Sequence, residues 1–265
     1  MKTRPSTQPI TKALFPRLGV SAFAVMGLRL TDFTANGVSA GVTPLSPFPV
    51  DPDVLARIRP MQYRDADRVA ALHAAAMGRS LWAQLGPGFL AALYRGLVDC
   101  PTFIGFVYVE EGEVRGFIAG SLDTRAMFRD LLDRRAQFVL PHAILGVLRR
   151  PRLIPLLVQT ARYSEASGAA DVPGESLFCS FVPNLRGRRV SGHINKVLFD
   201  ELLARGHRSI KITTEVDNEG ANRQLQSWGF RDAGRFRFYG KDMVTYVLDL
   251  VGHPRLEPVS RHPSV

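Results

Sequence analysis

The sequence has little cysteine. Cys100 and Cys179 are the two in 265 residues, far apart and each set among apolar neighbours. Nothing calls for a disulfide framework, and the pair reads as two buried thiols in a reducing, cytoplasmic compartment. No apolar run is long enough to span a bilayer. No run of like charges is long enough for a nucleic-acid arm, and zinc-finger spacings and aromatic RNA-binding signatures are missing too, so nucleic acid is set aside as a partner. No Ser/His/Asp set and no metal-ligand spacing stands out, which leaves triad chemistry and a bound metal without residues to carry them. Internal repeats are absent.

What is present is an apolar, basic chain. Hydrophobic residues make up 46% and the formal net charge is +10, so a sizeable core forms and acidic partners are favoured. The excess is carried by arginine and spread along the chain. A phosphorylated small ligand and an anionic membrane surface are the two partner classes left. Residues 1–31 hold Lys2, Arg4, Lys12, Arg17 and Arg29 and no acid. Their apolar stretch, 19–27, is short, and Pro16 and Gly19 interrupt it. A targeting segment, a poorly ordered extension and a start at Met26 all fit. Residues 36–52, with Pro44, Pro47, Pro49 and Pro52, read as a linker. The expected organisation is an extension and linker over 1–54, a folded domain over 55–250 and a polar tail over 251–265.

Within the domain, alternation predicts a strand at 55–61 and a helix after Asp65. A second helix is expected at 88–98, then a hairpin of strands 102–109 and 114–122 about Glu111-Gly112-Glu113. Residues 124–174 form a helical insert, in which Pro141, Pro151 and Pro155 are expected to break two or three short helices. A strand at 176–182, a helix at 190–205 ended by Gly206, a strand at 209–216, a helix at 218–228 and closing strands at 230–239 and 242–250 complete the chain. The order β-α-α-β-β, insert, β-α-β-α-β-β predicts an α/β fold, a mixed sheet with helices on both sides and the insert between the third and fourth strands.

The most informative stretch follows the strand that Pro183 stops. Arg186-Gly187-Arg188-Arg189-Val190-Ser191-Gly192 leads straight into a helix. A helix start presents unpaired N–H groups and the positive end of its dipole, and arginine adds permanent bidentate donors. That combination suits phosphate, and a solvated basic helix start is the plainer alternative. The stretch Val182-Pro183-Asn184-Leu185-Arg186-Gly187-Arg188-Arg189-Val190 resembles the acyl-CoA signature of the GNAT N-acetyltransferase superfamily, V-x-P-x-x-R-G-x-G-[IV]-G. Further on, Asn218, Ala221, Gly229 and Phe230 fall in register with the superfamily's N-x-x-A-x-x-x-Y-x-x-x-G-F helix, and Ile58-Arg59-Pro60 is similar to its opening. The likeness covers most of 55–250. Three residues depart from it. Arg189 and Ser191 stand where glycines are usual, and Leu225 where a tyrosine often protonates the departing thiolate.

The resemblance implies an N-acyltransferase using acetyl-CoA, or another acyl-CoA, on a primary amine of a small molecule, without a metal. Arg186, Gly187, Arg188, Arg189, Val190, Ser191 and Gly192 would hold the pyrophosphate. The backbone of Phe181 and Val182 would pair with the pantetheine arm and polarise the thioester. Asn218 and Ala221 would line the far side. A base is needed because an amine is protonated at neutral pH. Glu175 and Glu215 are candidates, and Tyr239 is a candidate for the missing acid. Each has a bland alternative: a loop glutamate, a strand-end glutamate beside the capping Asp217, and a packing tyrosine. His193 is expected at the surface, and Cys179 as a small core residue. The insert, with its basic, amphipathic run 145–154, covers the core, forms a lid, or touches an anionic membrane. A non-catalytic acyl-CoA-binding or protein-interaction module is the alternative to an enzyme.

Overall fold

Strand-forming alternation and helix-forming periodicity sort this chain into a seven-stranded sheet with helices on both faces. The computed structural model describes residues 45–78, 80–161, 169 and 171–256. The expected extension before residue 45, part of the insert and the tail beyond 256 lie outside them. Strands β1 (Ile58–Pro60), β2 (Phe103–Glu110), β3 (Glu113–Ser121), β4 (Glu175–Phe181), β5 (Ser209–Glu215), β6 (Arg231–Phe238) and β7 (Lys241–Asp249) lie in the order β1-β2-β3-β4-β5-β7-β6. Every pairing is antiparallel except that of β4 with β5. The expected mixed α/β sheet is therefore the observed one.

One face carries α2 (Ala66–Met77), the short α3 (Leu81–Gln84) and α4 (Pro87–Val98). They bury Val69, Leu72, Phe89, Leu93 and Tyr94 against Val107, Phe117 and Ala119 of the sheet. The other face carries α8 (Val190–Ala204) and α9 (Glu219–Ser227), where Ile194, Leu198, Phe199 and Trp228 meet Ile118, Ile210, Val244 and Leu248. Each face is thus a separate apolar layer, and the sheet is the wall between them.

Three details differ from the sequence reading. Residues 45–54 belong to the folded unit. Asp51 caps a one-turn helix, α1 (Pro52–Leu55), by accepting from the N–H groups of Asp53 and Val54. Phe48 stacks on Trp228 at 5.1 Å between centroids. Proline spacing suggested a linker, but Pro at the first helical position suits a helix start. At the other end, His253 and Leu256 are buried, and the His253 ring bonds the Trp228 carbonyl at 2.8 Å, so the domain runs past residue 250.

Among its described residues the insert holds three helices, α5 (Thr124–Arg134), α6 (Ala136–Arg149) and α7 (Ile154–Ala161). α6 runs through Pro141 instead of breaking there. Proline removes one helical N–H, and the carbonyl it would have served, on Gln137, lies on the exposed side where water can replace it. Pro151 and Pro155 do act as punctuation: the first opens a 3-10 turn, and the second lies in the first turn of α7.

Candidate functional site

The sheet opens between its two parallel strands. β4 and β5 pair only at Glu175↔Lys211 and Ser176↔Ile212. β4 stays paired to β3 as far as Phe181, and β5 to β7 as far as Glu215, so the two diverge into a V. A bulge starts the divergence. Gly120 faces Ser176 and Ala119 faces Phe178, which leaves Leu177 as the extra residue on β4. Gly120 permits the close approach, since a Cβ there would lie 3.0 Å from the Glu175 carbonyl and 3.1 Å from Leu198 Cδ1.

The V exposes strand edges. Successive residues of a strand aim their backbone groups to opposite sides. Val182 donates its N–H to the Arg115 carbonyl on the β3 side at 2.9 Å, so Phe181 and Cys179 face the gap. On β5, Lys211 donates to the Gly174 carbonyl across the closed end, which aims Thr213 into the same gap. Strand edges that face each other across a gap suit an extended chain that hydrogen-bonds as a strand would. Val182, expected to share this edge, turns its backbone groups away from the gap. Its N–H is bonded to Arg115, and its carbonyl accepts from Leu185 N–H at 3.2 Å. Cys179 holds the edge position in its place. The Cys179 side chain is exposed to solvent, yet the protein around it pushes its pKa up to about 12. Both hold where water reaches the sulfur but most of the neighbouring volume is protein. The sulfur is a thiol at neutral pH, not a nucleophilic thiolate.

At the wide end the chain turns through Pro183–Leu185 into α8. Gly187 has φ +82° and Arg189 φ +57°, both left-handed. The left-handed turn at 189 gives a physical reason for the glycine usual there: a side chain at that position is strained. No side chain caps the start of α8. His193 N–H, bonded to the Arg189 carbonyl at 3.2 Å, closes the first turn. The N–H groups of Val190, Ser191 and Gly192 precede it, and helix geometry leaves them without an intrahelical acceptor.

The arginines divide. Arg188 forms a two-pronged pair with Glu110 at the end of β2, at 2.6 and 3.2 Å, and Arg57 holds the same carboxylate at 3.0 Å. Arg188 holds the Glu110 carboxyl below its usual range, and Arg57 adds to this. Arg188 therefore fastens the loop to the sheet, whereas its expected partner was a phosphate. Arg186 and Arg189 are exposed and form no ion pair among the described residues.

The first turn of α8 is packed from behind. A Cβ on Gly192 would lie 2.9 Å from the Phe48 ring. His193, expected at the surface, is fully buried. Its Nε2 accepts from Asp51 N–H at 2.8 Å, which leaves Nδ1–H to donate to the Arg189 carbonyl at 2.9 Å. The helical spacing of the α8 apolar residues held no hint of this, because the burying partner comes from 45–54. On β4, Phe181 lies across Gly116, where a Cβ would come within 2.2 Å of the ring.

α9 starts at the end of β5, across the mouth from α8. Asn218 caps it by accepting from Ala221 N–H at 3.2 Å, a role expected of Asp217. Asn222, missed by sequence reasoning, donates to the carbonyls of Val216 at 2.9 Å and Glu215 at 3.3 Å and so locks the turn into α9. Leu225 is buried in the apolar layer beneath.

The candidate acid–base residues are spread out. Glu175 sits at the closed end, buried, accepting from Thr124 Oγ1 at 2.8 Å. Glu215 lies at the open end, paired with Lys241. Tyr239, in the turn between β6 and β7, bonds Thr160 of α7, and burial raises its pKa. Behind Phe178 lies a pair that the sequence did not single out. His73, fully buried, bonds Tyr94 at 2.7 Å, and its ring centre is 4.7 Å from that of Phe178. Burial lowers the pKa of His73 to about 4, so its imidazole is neutral near pH 7. Among the described residues no cluster of metal-ligating side chains occurs.

No family model matches the chain. The mycothiol acetyltransferase of Brachybacterium faecium is 32% identical over 71 residues, which is 27% of this chain; the match spans only 22% of that relative's length. Among solved structures, SsHAT is 16% identical with a TM-score of 0.51, covering 73% of this chain and 98% of that one. An N-acetyltransferase from Staphylococcus aureus Mu50 is 16% identical with a TM-score of 0.47, covering 73% and 97%. The seven-stranded sheet with its splayed parallel pair is the GNAT fold.

Proposed function

We propose that this chain is an acetyl-CoA-dependent N-acetyltransferase acting on a primary amine of a small molecule. One observation carries the reading: a strand gap with free backbone edges opens directly onto a helix start that no side chain caps. An extended donor with phosphates at one end fits both parts. Its arm would lie between β4 and β5, bonded to the edges of Cys179, Phe181 and Thr213. Its phosphates would meet the N–H groups of Val190, Ser191 and Gly192, with Arg186 and Arg189 adding charge. Asn218 and Ala221 would flank the opposite side.

Acetyl-CoA supplies a thioester, and the residues of the gap would orient it. The N–H groups aimed into the gap can stabilise negative charge developing on the carbonyl oxygen. The protonated Cys179 thiol favours direct attack by the amine over an acyl-cysteine route. Of the three candidates for proton transfer, Glu215 and Tyr239 stand at the open end, whereas Glu175 is sealed at the closed end by Thr124. The reading therefore assigns proton removal to Glu215, once released from Lys241, and proton return to Tyr239. Glu215→Gln should lower kcat on the order of a hundredfold while thermal stabilisation by CoA persists; an unchanged kcat would overturn that assignment.

A second reading is a non-catalytic acyl-CoA-binding module. It is favoured because Glu175, Glu215 and Tyr239 are all held by protein neighbours and because Leu225 is buried where a tyrosine acid is common. Acetyl-CoA consumption over a panel of amines, run beside thermal melting with CoA, separates the two. Consumption supports the enzyme, stabilisation without consumption supports the module, and neither result would remove the donor site.

A further inference from the structure

The insert presents an apolar surface that the proposed reaction does not use. Of the eleven large hydrophobic residues exposed among the described residues, seven lie between 132 and 158. They therefore concentrate on the insert, six of them on α6 and α7 and Leu132 on α5. On α6, Phe138, Leu145 and Leu148 share a stripe with Ile144 beside it, and Leu148 is 73% exposed. Ile154 and Val158 continue the surface onto α7.

α6 is apolar on its inner side as well. Val139 is buried, and Gly146 packs so tightly on the end of α3 that a Cβ would lie 2.5 Å from the Leu85 carbonyl. A helix apolar all round, with one side packed and the other in water, needs a second apolar medium. Charge selects the medium. Residues 136–161 hold Arg149, Arg150 and Arg152 and no acid. The insert's acids up to residue 161, Asp130 and Asp133, lie on α5, and Asp130 is taken by Arg134 and Arg135.

We propose that the outer face of α6 and α7 docks on an anionic lipid bilayer, with its apolar side chains in the acyl boundary and its arginines at the headgroups. No helix of the described residues is long and apolar enough to cross a membrane, so the insert lies on the surface. A second copy of the chain fits less well. A two-fold interface sets each patch against itself, and Arg149, Arg150 and Arg152 would face their own like charges with no acid on α6 or α7 to pair them. Thr160 ties α7 to Tyr239, so docking brings the turn between β6 and β7, at the wide end of the V, towards the bilayer. The inference is independent of catalysis and holds for either reading above.

The test is co-sedimentation of the full chain with vesicles of phosphatidylcholine alone and of equal parts phosphatidylcholine and phosphatidylglycerol. Binding is expected to the anionic vesicles only and to weaken with added salt. Arg149→Ala with Arg152→Ala should lower partitioning roughly twenty-five-fold, at about fivefold per arginine. Leu145→Asp, Leu148→Asp and Ile154→Asp together should lower it on the order of a hundredfold. All five side chains are exposed, so melting temperatures should hold; Leu148→Asp alone serves if the triple variant melts early. No binding to anionic vesicles, equal binding to both kinds, or binding that survives these substitutions overturns the proposal. Concentration-dependent self-association, lost in the triple variant and accompanied by no vesicle binding, would also overturn it and make the face a protein interface.

Discussion

Two helices begin at the mouth of the same V, and they begin differently. α9 satisfies its own start, because Asn218 accepts from Ala221 N–H. α8 has no side-chain cap and enters through a left-handed arginine. Typical capping residues were available nearby: Asn184 is in the preceding turn and Ser191 is two residues past the capping position. A helix start left uncapped in water gives up about 1 kcal/mol that a capping side chain would contribute. The contrast teaches that the same element, placed twice at the carboxyl ends of splayed parallel strands, is built once as structure and once as a receptor for an outside acceptor.

The largest effect that would break this contrast comes from giving α8 an acceptor of its own. Ser191→Asp places a carboxylate in the first turn. Stability should rise by about 0.3–1 kcal/mol from the helix dipole, read by thermal melting. Donor binding should fall on the order of a hundredfold, because a fixed anion displaces phosphate and repels it, read as the Michaelis constant or by calorimetry. Opposite signs in the two readouts are the diagnostic result; a loss of both would point to misfolding.

The arginines sharpen the contrast. Arg186→Ala should weaken donor binding about tenfold, in the range of one charge-assisted contact. Arg188→Ala should do less, and Glu110→Gln should reproduce its effect, since the two form one fastening. Equal losses from Arg186→Ala and Arg188→Ala, with Glu110→Gln silent, would return Arg188 to the phosphate site. At residue 189, glycine should relieve the left-handed strain and stabilise the chain by about 1 kcal/mol, measured by denaturant unfolding. The smallest effect on binding belongs to the other helix. Asn218→Ala should cost about 1 kcal/mol of stability while donor affinity changes less than twofold.

The layer plan was legible because strands and helices in this chain differ in period. The 114–122 strand alternates against the 102–109 strand, and the 190–205 helix carries its apolar residues at helical spacing. The position of the donor loop followed from Pro183, the glycine and the arginines. The V itself was not legible. It depends on Leu177 bulging out of register, and no residue type in Ser176-Leu177-Phe178 signals a bulge. The packing of residues 45–54 was hidden by their prolines, which describe local backbone and say nothing of Phe48 reaching Gly192, His193 and Trp228. The division among Arg186, Arg188 and Arg189 was hidden for a related reason, because Glu110, which claims one of them, is distant in sequence.

The account's central claim is that the start of α8 receives the donor's phosphates. Backbone amide shifts of the labelled full chain, followed as CoA is added, address it directly. The account predicts that the amides of Val190, Ser191 and Gly192 move strongly and saturate together with those of Phe181 and Cys179, while Glu219 and Gly220 at the capped helix move little. Saturable CoA binding that leaves the 190–192 amides in place, or no binding at all, would contradict it.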